Sequence, residues 1–372
     1  MPPLSIMIKP ASSSCNMRCR YCFYADVASN RENANYGTMS LETARRLIRR
    51  AFLYADGSVS FAFQGGEPTL AGLGFFQDFL NAVRQCNARS LPVYYALQTN
   101  GYALTDELCA FFAENRFLLG VSLDGTREIH DALRRDAQGQ GTYDRVLQGI
   151  GRLKKHGVEY NILCVVTAAV AARAKDCWDS LKEHRFLQYI PCIDAFSGEL
   201  RDYSLSAEAY GHFLTDTFVC YEQAYFSGHP VSERRMDNYL AMLMGQPPEL
   251  CGMSGVCGHY FLAEADGGIY PCDFYVLDDW RLGNIQTDSL QRMAKGETAQ
   301  RFRQRSRVLP PACAQCSWLF LCHGGCRRDR EPYIQSQPSE NRFCKSYRMF
   351  FEACYPRMQA LARHIAKADA GR

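Results

Sequence analysis

Short apolar runs alternate with amphipathic stretches along the first half of the chain, a pattern typical of repeated strand–helix units and a parallel sheet. The intervening stretches predict helices at residues 41–51, 75–85, 106–115, 143–156 and 174–184. The apolar runs predict strands that end at Ile8, Phe63, Leu97, Leu123, Val166 and Ile190. Six units are too few to close an eight-stranded barrel. We therefore expect an α/β fold built on an open, partial (β/α)6 barrel that resembles three quarters of a TIM barrel.

The pattern changes after Ile193. Residues 206–226 predict a long aromatic-rich helix, and residues 237–244 predict another. From Gly245 onward the chain has paired prolines, many glycines and dense cysteine. We expect a domain boundary near Val231, with a barrel at residues 1–231 and a second, cysteine-rich domain with a C-terminal helix at residues 232–372.

Charge and hydropathy exclude several classes of partner. The 372 residues include 42 basic and 39 acidic side chains, for a net charge of +3, and no long run of either sign. We therefore expect no nucleic-acid or anionic-membrane partner. The first ten residues lack the pattern of a signal peptide, and the longest apolar run, residues 162–172, is too short to cross a bilayer. These features predict a cytoplasmic protein.

Cysteine is abundant, with 18 residues. A reducing cytosol disfavours disulfides, so the grouped cysteines are interpreted as metal ligands. Seven cysteines stand alone in helical or strand patterns, and most of these are expected to be small core residues. They are Cys86, Cys109, Cys164, Cys177, Cys192, Cys220 and Cys354.

Cys15, Cys19 and Cys22 form a C-x3-C-x2-C loop directly after the first strand. Three thiolates can hold three corners of a four-iron cluster, which leaves the fourth iron open to a small molecule. Zinc and plain buried thiols are the alternatives. Zinc normally takes four protein ligands, or His and carboxylate partners, and neither set is near this loop in the sequence.

Polar residues mark the ends of the next three strands. Gly66 and Glu67 follow the second strand, Asn100 follows the third, and Ser122 lies near the end of the fourth. Glycines allow close backbone approach, and the Glu67 carboxylate suits an ammonium group. Arg134, further along, suits a carboxylate. The alternative is that these are turn residues and a solvated helix charge.

Eight further cysteines make up two sets of four and fill the second domain. They are Cys251, Cys257, Cys272, Cys313, Cys316, Cys322, Cys326 and Cys344. A turn at Asp266 to Gly268 predicts a hairpin whose second strand leads to Cys272. Two zinc sites are the competing interpretation. Asp273 follows Cys272, where a carboxylate either caps a turn or acts as a general base.

The early loop, with Tyr21 before its last cysteine, is identified as the motif of the radical S-adenosylmethionine (SAM) enzymes. The spacing C-x9-G-x4-C, C-x2-C-x5-C-x3-C and one later cysteine resembles their SPASM domain. This resemblance implies three 4Fe-4S clusters and SAM. It assigns Cys15, Cys19 and Cys22 to the SAM-binding cluster. It assigns two interleaved auxiliary sets, which are Cys251, Cys257, Cys272 and Cys326 for the first, and Cys313, Cys316, Cys322 and Cys344 for the second.

Longer segments resemble the anaerobic sulfatase-maturating enzymes. They are Met1 to Leu4, Cys15 to Tyr24, Ala62 to Leu70, Leu97 to Gly101 and Tyr270 to Leu277. The resemblance implies oxidation of a Cys or Ser, in a Cys/Ser-x-Pro-x-Arg motif of an unfolded sulfatase, to formylglycine. A deoxyadenosyl radical would take the Cβ hydrogen, Asp273 would take the thiol or hydroxyl proton, and an auxiliary cluster would accept the electron. A flavodoxin or ferredoxin would supply reducing electrons. The SAM contacts implied are Tyr21, Gly66, Glu67, Asn100, Ser122, Arg134 and Ile193.

Two other functions compete with this one. A SPASM radical SAM enzyme that crosslinks a ribosomal peptide is the nearer, although many of those carry a leader-binding domain and only fourteen residues precede Cys15 here. A non-catalytic electron carrier or zinc-dependent binding module would explain the late cysteines. It would not explain the three-cysteine loop or the polar strand ends.

Overall fold

The computed structural model describes residues 3–334 and 337–370. Met1 and Pro2, which belong to the first resembling segment, lie outside the described residues. The strands are β1 Leu4–Ile8, β2 Val59–Phe63, β3 Val93–Thr99, β4 Phe117–Ser122, β5 Tyr160–Val166, β6 Phe186–Pro191, β7 Ser232–Glu233, β8 Phe261–Ala263, β9 Gly268–Tyr270, β10 Gly283–Asn284, β11 Tyr333–Ile334 and β12 Gln337–Pro338.

The helices alternate with the strands over the first 200 residues and dominate the rest of the chain. They are α1 Phe23–Ser29, α2 Leu41–Tyr54, α3 Gly72–Cys86, α4 Asp106–Glu114, α5 Arg127–Leu133, α6 Tyr143–His156, α7 Ala168–Ala172, α8 Ala174–Leu181, α9 Ala207–Phe226, α10 Arg234–Leu243, α11 Leu290–Lys295, α12 Glu297–Arg307, α13 Leu319–Cys322 and α14 Cys344–Ala370. No helix in these described ranges is both long and apolar enough to span a membrane.

The six predicted strands form the parallel sheet that the pattern indicates. Strands β1 to β6 lie side by side in chain order, each parallel to its neighbour. The sheet stays open, with β10 and β7 at its two edges among the described residues. This confirms the partial-barrel fold class. The carboxyl ends of β1 to β6 therefore share one edge, where catalytic loops of such barrels lie.

Several boundaries differ from the predicted ones. Strand β3 continues through Gln98 to Thr99, two residues beyond the predicted end. Helix α10 begins at Arg234 because the Glu233 side chain accepts hydrogen bonds from the Arg235 and Met236 amides and caps the helix three residues earlier than predicted. Helix α8 ends at Leu181, and a single 3-10 turn, Lys182–His184, completes the predicted stretch.

The sheet also continues across the expected domain boundary. Strand β7 pairs with β6, and β8 pairs with β1 in parallel. The predicted hairpin is present as β8 and β9, with β10 beyond it. The cysteine-rich region is thereby joined to the first barrel strand, and this pairing places Asp273 beside the barrel.

The core is strongly aromatic on the β2 side. Phe61 and Phe63 lie on the same face of β2. Their rings contact Phe79 of α3 edge to face, at ring-centroid distances of 5.2 and 5.0 Å. On the other side α9 packs along α14 and the residue before it, with Tyr210 against Phe343 and Phe218 against Phe350. Aromatic contacts therefore join the buried elements on both flanks.

Candidate active site

The three-cysteine loop lies between β1 and α1 and is held in place by the segment after β2. The Gly66 amide donates to the Ser12 carbonyl at 2.9 Å, and the Glu67 amide donates to the Ser14 carbonyl at 2.8 Å. A Cβ atom at Gly66 would lie 2.0 Å from the Ser14 carbonyl oxygen. Gly66, expected as a SAM contact, thus also supports the cysteine loop through its missing side chain.

Each thiol of the loop faces at least one N–H donor. Cys15 Sγ accepts from the Met17 amide at 3.4 Å and from Asn100 Nδ2 at 3.7 Å. Cys22 Sγ accepts from the Ala25 amide at 3.4 Å and caps α1, and Arg134 Nη1 lies 3.9 Å from Cys19 Sγ. Donors of this kind stabilise thiolate sulfurs in iron–sulfur clusters, so the loop fits such a cluster.

Burial raises the pKa of Cys19 to about 12, although the nearby Arg134 lowers it, and the Cys22 and Cys15 thiolates raise it further. Burial also raises the pKa of Cys15, so the Cys15 and Cys19 thiols hold their protons until a cation takes their place. Iron binding at this loop would therefore release protons.

Glu67 ties the ends of β2 and β3 together. Its Oε1 accepts from Thr99 Oγ1 at 2.8 Å and from Thr69 Oγ1 at 2.7 Å, and its Oε2 accepts from the Asn100 amide at 2.8 Å. The residue is only 1% exposed. In this structure both carboxylate oxygens accept hydrogen bonds from protein donors. The expected contact with the SAM amino group stays a prediction.

Arg134 has a buried counter-ion that the sequence analysis did not assign. Its Nε lies 2.8 Å from Asp124 Oδ2, and Tyr21 OH donates to the same oxygen. Asp124 Oδ1 accepts from the Val165 amide at 2.9 Å. Tyr21, Asp124 and Arg134 therefore form one buried unit at the ends of β4 and β5, with the guanidinium directed at Cys19. The Arg134 contact with a SAM carboxylate stays a prediction.

His130 holds this unit in position through hydrogen bonds. Its Nδ1 accepts from the Asp124 amide at 3.2 Å, and its Nε2 lies 3.0 Å from Thr142 Oγ1, which donates to the Arg134 carbonyl at 2.9 Å. Burial lowers the pKa of His130 to about 4. The ring is therefore neutral at pH 7, as its acceptor role requires.

The other expected SAM contacts lie along the same edge of the sheet. Asn100 Nδ2 donates to Asn16 Oδ1 at 2.7 Å, within the cysteine loop. Ser122 is the last residue of β4 and is half-buried. Ile193, also half-buried, comes two residues after β6 and precedes Asp194, which pairs with Arg342 at 2.8 Å. Their roles toward SAM stay predictions.

Asp273 lies against the ends of β1 and β2. Its Oδ1 is 2.6 Å from Lys9 Nζ, and its Oδ2 accepts from Gln64 Nε2 at 2.8 Å. The Lys9 side chain is 0% exposed, and its ammonium lies 3.6 Å from the ring centre of Tyr24. A carboxylate that follows Cys272 in the sequence thus faces the barrel edge, as a base acting there requires.

A second buried ion pair lies beside the first. Arg31 Nη2 is 2.9 Å from Glu264 Oε1, both side chains are 0% exposed, and Tyr24 OH donates to the same carboxylate. Ser12 Oγ donates to it at 3.1 Å. Because Glu264 follows β8, this network fastens the cysteine loop and α1 to the hairpin that leads to Asp273.

The structure brings the four cysteines of the first implied auxiliary set together. Burial raises the pKa of Cys251 to about 11, and the Cys257 thiolate raises it further. Burial also raises the pKa values of Cys272 and Cys326. The Cys257 and Cys251 thiolates add to the rise at Cys272, and the Cys272 and Cys257 thiolates add to the rise at Cys326. Segments distant in sequence therefore converge on the set Cys251, Cys257, Cys272 and Cys326.

The other four late cysteines line a cavity of about 230 Å³. They are Cys313, Cys316, Cys322 and Cys344. Glu340, Arg348 and Trp318 are among the side chains that complete its wall. Burial raises the pKa of Cys322 to about 11, and the Cys344 thiolate adds to the effect. A cavity walled by four thiols fits a four-iron cluster.

The donor chemistry suits iron–sulfur clusters. All 18 cysteines are free of disulfides. Within residues 3–334 and 337–370, no three His, Cys, Asp or Glu side chains are grouped closely enough to hold a single metal ion. Cysteine thiolates are the ligands that iron–sulfur clusters take, so the thiol groupings fit such clusters. The individual ligand assignments stay predictions.

Lys9, Tyr24, Asp124 and Glu264 also lie in this site, although the site residues predicted from the sequence do not include them. The sequence carries a signal for two of them, since each is a charged residue at the end of an apolar strand. Lys9 comes directly after the first strand, and Asp124 comes two positions after Ser122, the last residue of β4. Glu264 could be found only from the pairing of β8 with β1.

Comparison with known proteins places this site in a family. The radical SAM superfamily model matches residues 10–170, and the iron–sulfur cluster-binding SPASM model matches residues 256–317. The chain is 42% identical over 369 residues to the cysteine-type anaerobic sulfatase-maturating enzyme of Clostridium perfringens (strain 13 / Type A), covering 98% of this chain and 100% of the relative. It is 32% identical over 393 residues to the serine-type enzyme of Bacteroides thetaiotaomicron, covering 99% and 93%.

Solved structures agree with this placement. The structure of native anSMEcpe with bound AdoMet and Cp18Cys peptide superimposes with a TM-score of 0.93 at 41% identity, covering 98% of this chain and 100% of that chain. Streptococcus suis SuiB bound to S-adenosylmethionine superimposes with a TM-score of 0.66 at 18% identity, covering 92% and 77%, which shows a shared fold alone.

The barrel, the three-cysteine loop and the late cysteines define a radical SAM enzyme with a SPASM domain, and such enzymes use 4Fe-4S clusters and SAM. Within that class, the chain belongs to the anaerobic sulfatase-maturating enzymes.

Proposed function

We propose that this enzyme oxidises a cysteine or serine within a Cys/Ser-x-Pro-x-Arg motif of an unfolded sulfatase to formylglycine. Family membership over nearly the full chain supports this activity. Identity is 40–42% to three cysteine-type relatives and 28–32% to three serine-type relatives. We therefore infer that cysteine is the preferred target.

The position of Asp273 is the observation that carries this proposal. Its carboxylate is held by Lys9, which follows β1, and by Gln64, which follows β2, and it follows Cys272 of the first auxiliary cysteine set. The base therefore lies between the strand that leads into the three-cysteine loop and that set. Asp273 would take the proton of the target thiol or hydroxyl, and the cluster held by the set that includes Cys272 would accept the electron.

The remaining side chains bind and orient. Cys15, Cys19 and Cys22 would hold the cluster that, with SAM bound, supplies the hydrogen-abstracting radical. Asn100 and Arg134 donate to the sulfurs of Cys15 and Cys19 and fix that loop. The predicted SAM contacts line the edge of the sheet beside them. Lys9 compensates the charge of Asp273 in a site shielded from water.

We assign the SAM chemistry to residues 1–231 and the two auxiliary clusters to residues 232–372. The ligand sets are those that the thiol groupings support. The polypeptide substrate enters from the open side of the barrel. A flavodoxin or ferredoxin supplies electrons, and the cytoplasm, which keeps thiols reduced, is where the enzyme works. No membrane or nucleic acid takes part.

Asp273→Asn tests this proposal. The variant and Asp279→Asn, an exposed control on the same segment, are reconstituted anaerobically and incubated with SAM, reductant and a cysteine peptide. Aldehyde trapping with mass spectrometry measures formylglycine, and chromatography measures deoxyadenosine. We expect Asp273→Asn to cleave SAM without making aldehyde, and the control to do both. An undiminished aldehyde yield would refute the assigned base.

A serine peptide, incubated in parallel with the parent enzyme, tests the preference for cysteine. Equal rates of aldehyde formation from the two peptides would overturn that preference.

A further inference from the structure

Arg327 is a buried cation enclosed by aromatic rings. It follows Cys326 directly, and its side chain is 1% exposed. The guanidinium carbon lies 4.3 Å from the ring centre of Phe302, 4.5 Å from Trp280 and 4.6 Å from Tyr275. Such cation–π contacts are favourable, but they do not replace the full hydration of a guanidinium.

The described residues provide little negative charge to compensate Arg327. Within that part of the chain, its Nε and Nη1 are buried without a hydrogen-bond partner. The carboxylate it pairs with, Glu331, is 3.7 Å away, 27% exposed, and already accepts from Tyr275 OH at 2.7 Å. An incompletely paired buried charge is costly, so a further source of negative charge is expected nearby.

The enclosing rings pack directly on the first late cysteine set. Tyr275, Trp280 and Phe302 form one buried cluster with Cys272, and Cys257 packs against its edge. Arg327 itself adjoins Cys326 in the chain. Two of the four cysteines in that set therefore pack on the rings that enclose Arg327, and a third, Cys326, directly precedes it in the chain.

We infer that Arg327 raises the reduction potential of the cluster held by Cys251, Cys257, Cys272 and Cys326. A four-iron cluster with four thiolates carries two negative charges when oxidised and three when reduced. A fixed cation in a dry aromatic surrounding stabilises the reduced form more than the oxidised form. The electron leaving the substrate is thereby accepted more readily. This inference rests on the proposed ligand set.

The test is an EPR-monitored redox titration of the reconstituted full-length protein. Arg327→Met removes the charge and retains an apolar side chain for the cage, and Arg327→Lys retains the charge. Arg301→Met is the matched control, because Arg301 lies over the outer side of the same Trp280 ring, 4.8 Å from its centre, and is exposed. Iron content is measured for each variant, so that loss of a cluster is distinguished from a shift in its potential.

We expect Arg327→Met to titrate at a more negative potential, Arg327→Lys to lie between it and the parent protein, and Arg301→Met to match the parent. An unchanged potential in Arg327→Met with full iron would overturn the inference. If Arg327→Met loses about four irons, the iron contents of Arg327→Lys and Arg327→Gln are compared. Full iron in Arg327→Lys with reduced iron in Arg327→Gln supports the need for a positive charge at this position. Equal iron contents in those two variants refute that need. A parent protein with about four irons in all would overturn the proposed ligand set instead.

Discussion

Lys9 and Asp273 form a buried ion pair, with Nζ and Oδ1 2.6 Å apart, although 264 positions separate them in the sequence. The pairing of β8 with β1 makes this contact possible, because the Lys9 amide also donates to the Ala263 carbonyl at 2.9 Å. The base of the proposed reaction is thus fixed to the strand that leads into the three-cysteine loop.

Lys9→Met should abolish most formylglycine formation while SAM cleavage continues. The substitution leaves the Asp273 carboxylate buried without its cation, which destabilises the charged base. General bases contribute roughly 10²–10⁴-fold to rate, and we expect a loss of that order. Aldehyde trapping and deoxyadenosine measurement, carried out on the same sample, check both parts.

Lys345→Met is the control for this variant. Lys345 pairs with Glu208 at 2.8 Å on the surface, with both side chains more than half exposed. Exposed pairs contribute little, so aldehyde yield should be unchanged. Equal yields from Lys9→Met and Lys345→Met would remove Lys9 from the site.

Gly66→Ala should disrupt the SAM-binding cluster while the late cysteine sites stay loaded. The added methyl would lie 2.0 Å from the Ser14 carbonyl oxygen, one residue before Cys15, and that backbone cannot yield without moving the loop. We expect iron content to fall from about twelve to about eight per chain, with SAM cleavage lost.

A helical glycine without neighbours provides the comparison for Gly66. Among the described residues, a Cβ at Gly74, in α3, would meet nothing within 4 Å, so Gly74→Ala should keep full iron and gain up to about 1 kcal/mol of helix stability. Full iron and normal SAM cleavage in Gly66→Ala would contradict the proposed support of the loop.

Stability should decline below pH 6.5 because of His130. Burial lowers its pKa from 6.5 to about 4 in the folded state, so between those values the unfolded chain binds more protons. The contribution is therefore complete above pH 6.5 and is lost progressively as the pH falls toward 4. From pH 7.5 to 5.5 the free energy of unfolding should decrease by about 1 kcal/mol from this residue.

Urea midpoints at pH 7.5, 6.5 and 5.5 measure that slope. In His130→Gln the His130 share of the slope should disappear, whereas the exposed His229→Gln should keep it. If the two variants and the parent protein lost stability in parallel, His130 would not be the titrating group.

Local chemistry made much of the fold predictable. Apolar runs located β1, β2 and β5 to the residue at their carboxyl ends. The alternation of strands and helices was enough for the open barrel, because parallel strands in chain order require little long-range information. The two interleaved ligand sets that the resemblance implies stay predictions.

Long-range pairing determined what the sequence did not reveal. The parallel contact of β8 with β1 brings Glu264 to Arg31 and Asp273 to Lys9, and no local pattern encodes that partnership. The contact of Glu67 with SAM stays a prediction, and the structure adds that Thr69, Thr99 and Asn100 donate to its carboxylate. The sequence alone does not show how many hydrogen-bond donors the neighbouring strand places around a carboxylate.

The central claim is that Cys15, Cys19 and Cys22 form the centre that cleaves SAM. Replacing all three with alanine and measuring iron and deoxyadenosine in the reduced, reconstituted protein tests it most directly. We predict about eight irons per chain and no deoxyadenosine above a protein-free control. Persistent SAM cleavage, or an iron content equal to that of the parent protein, would contradict the claim.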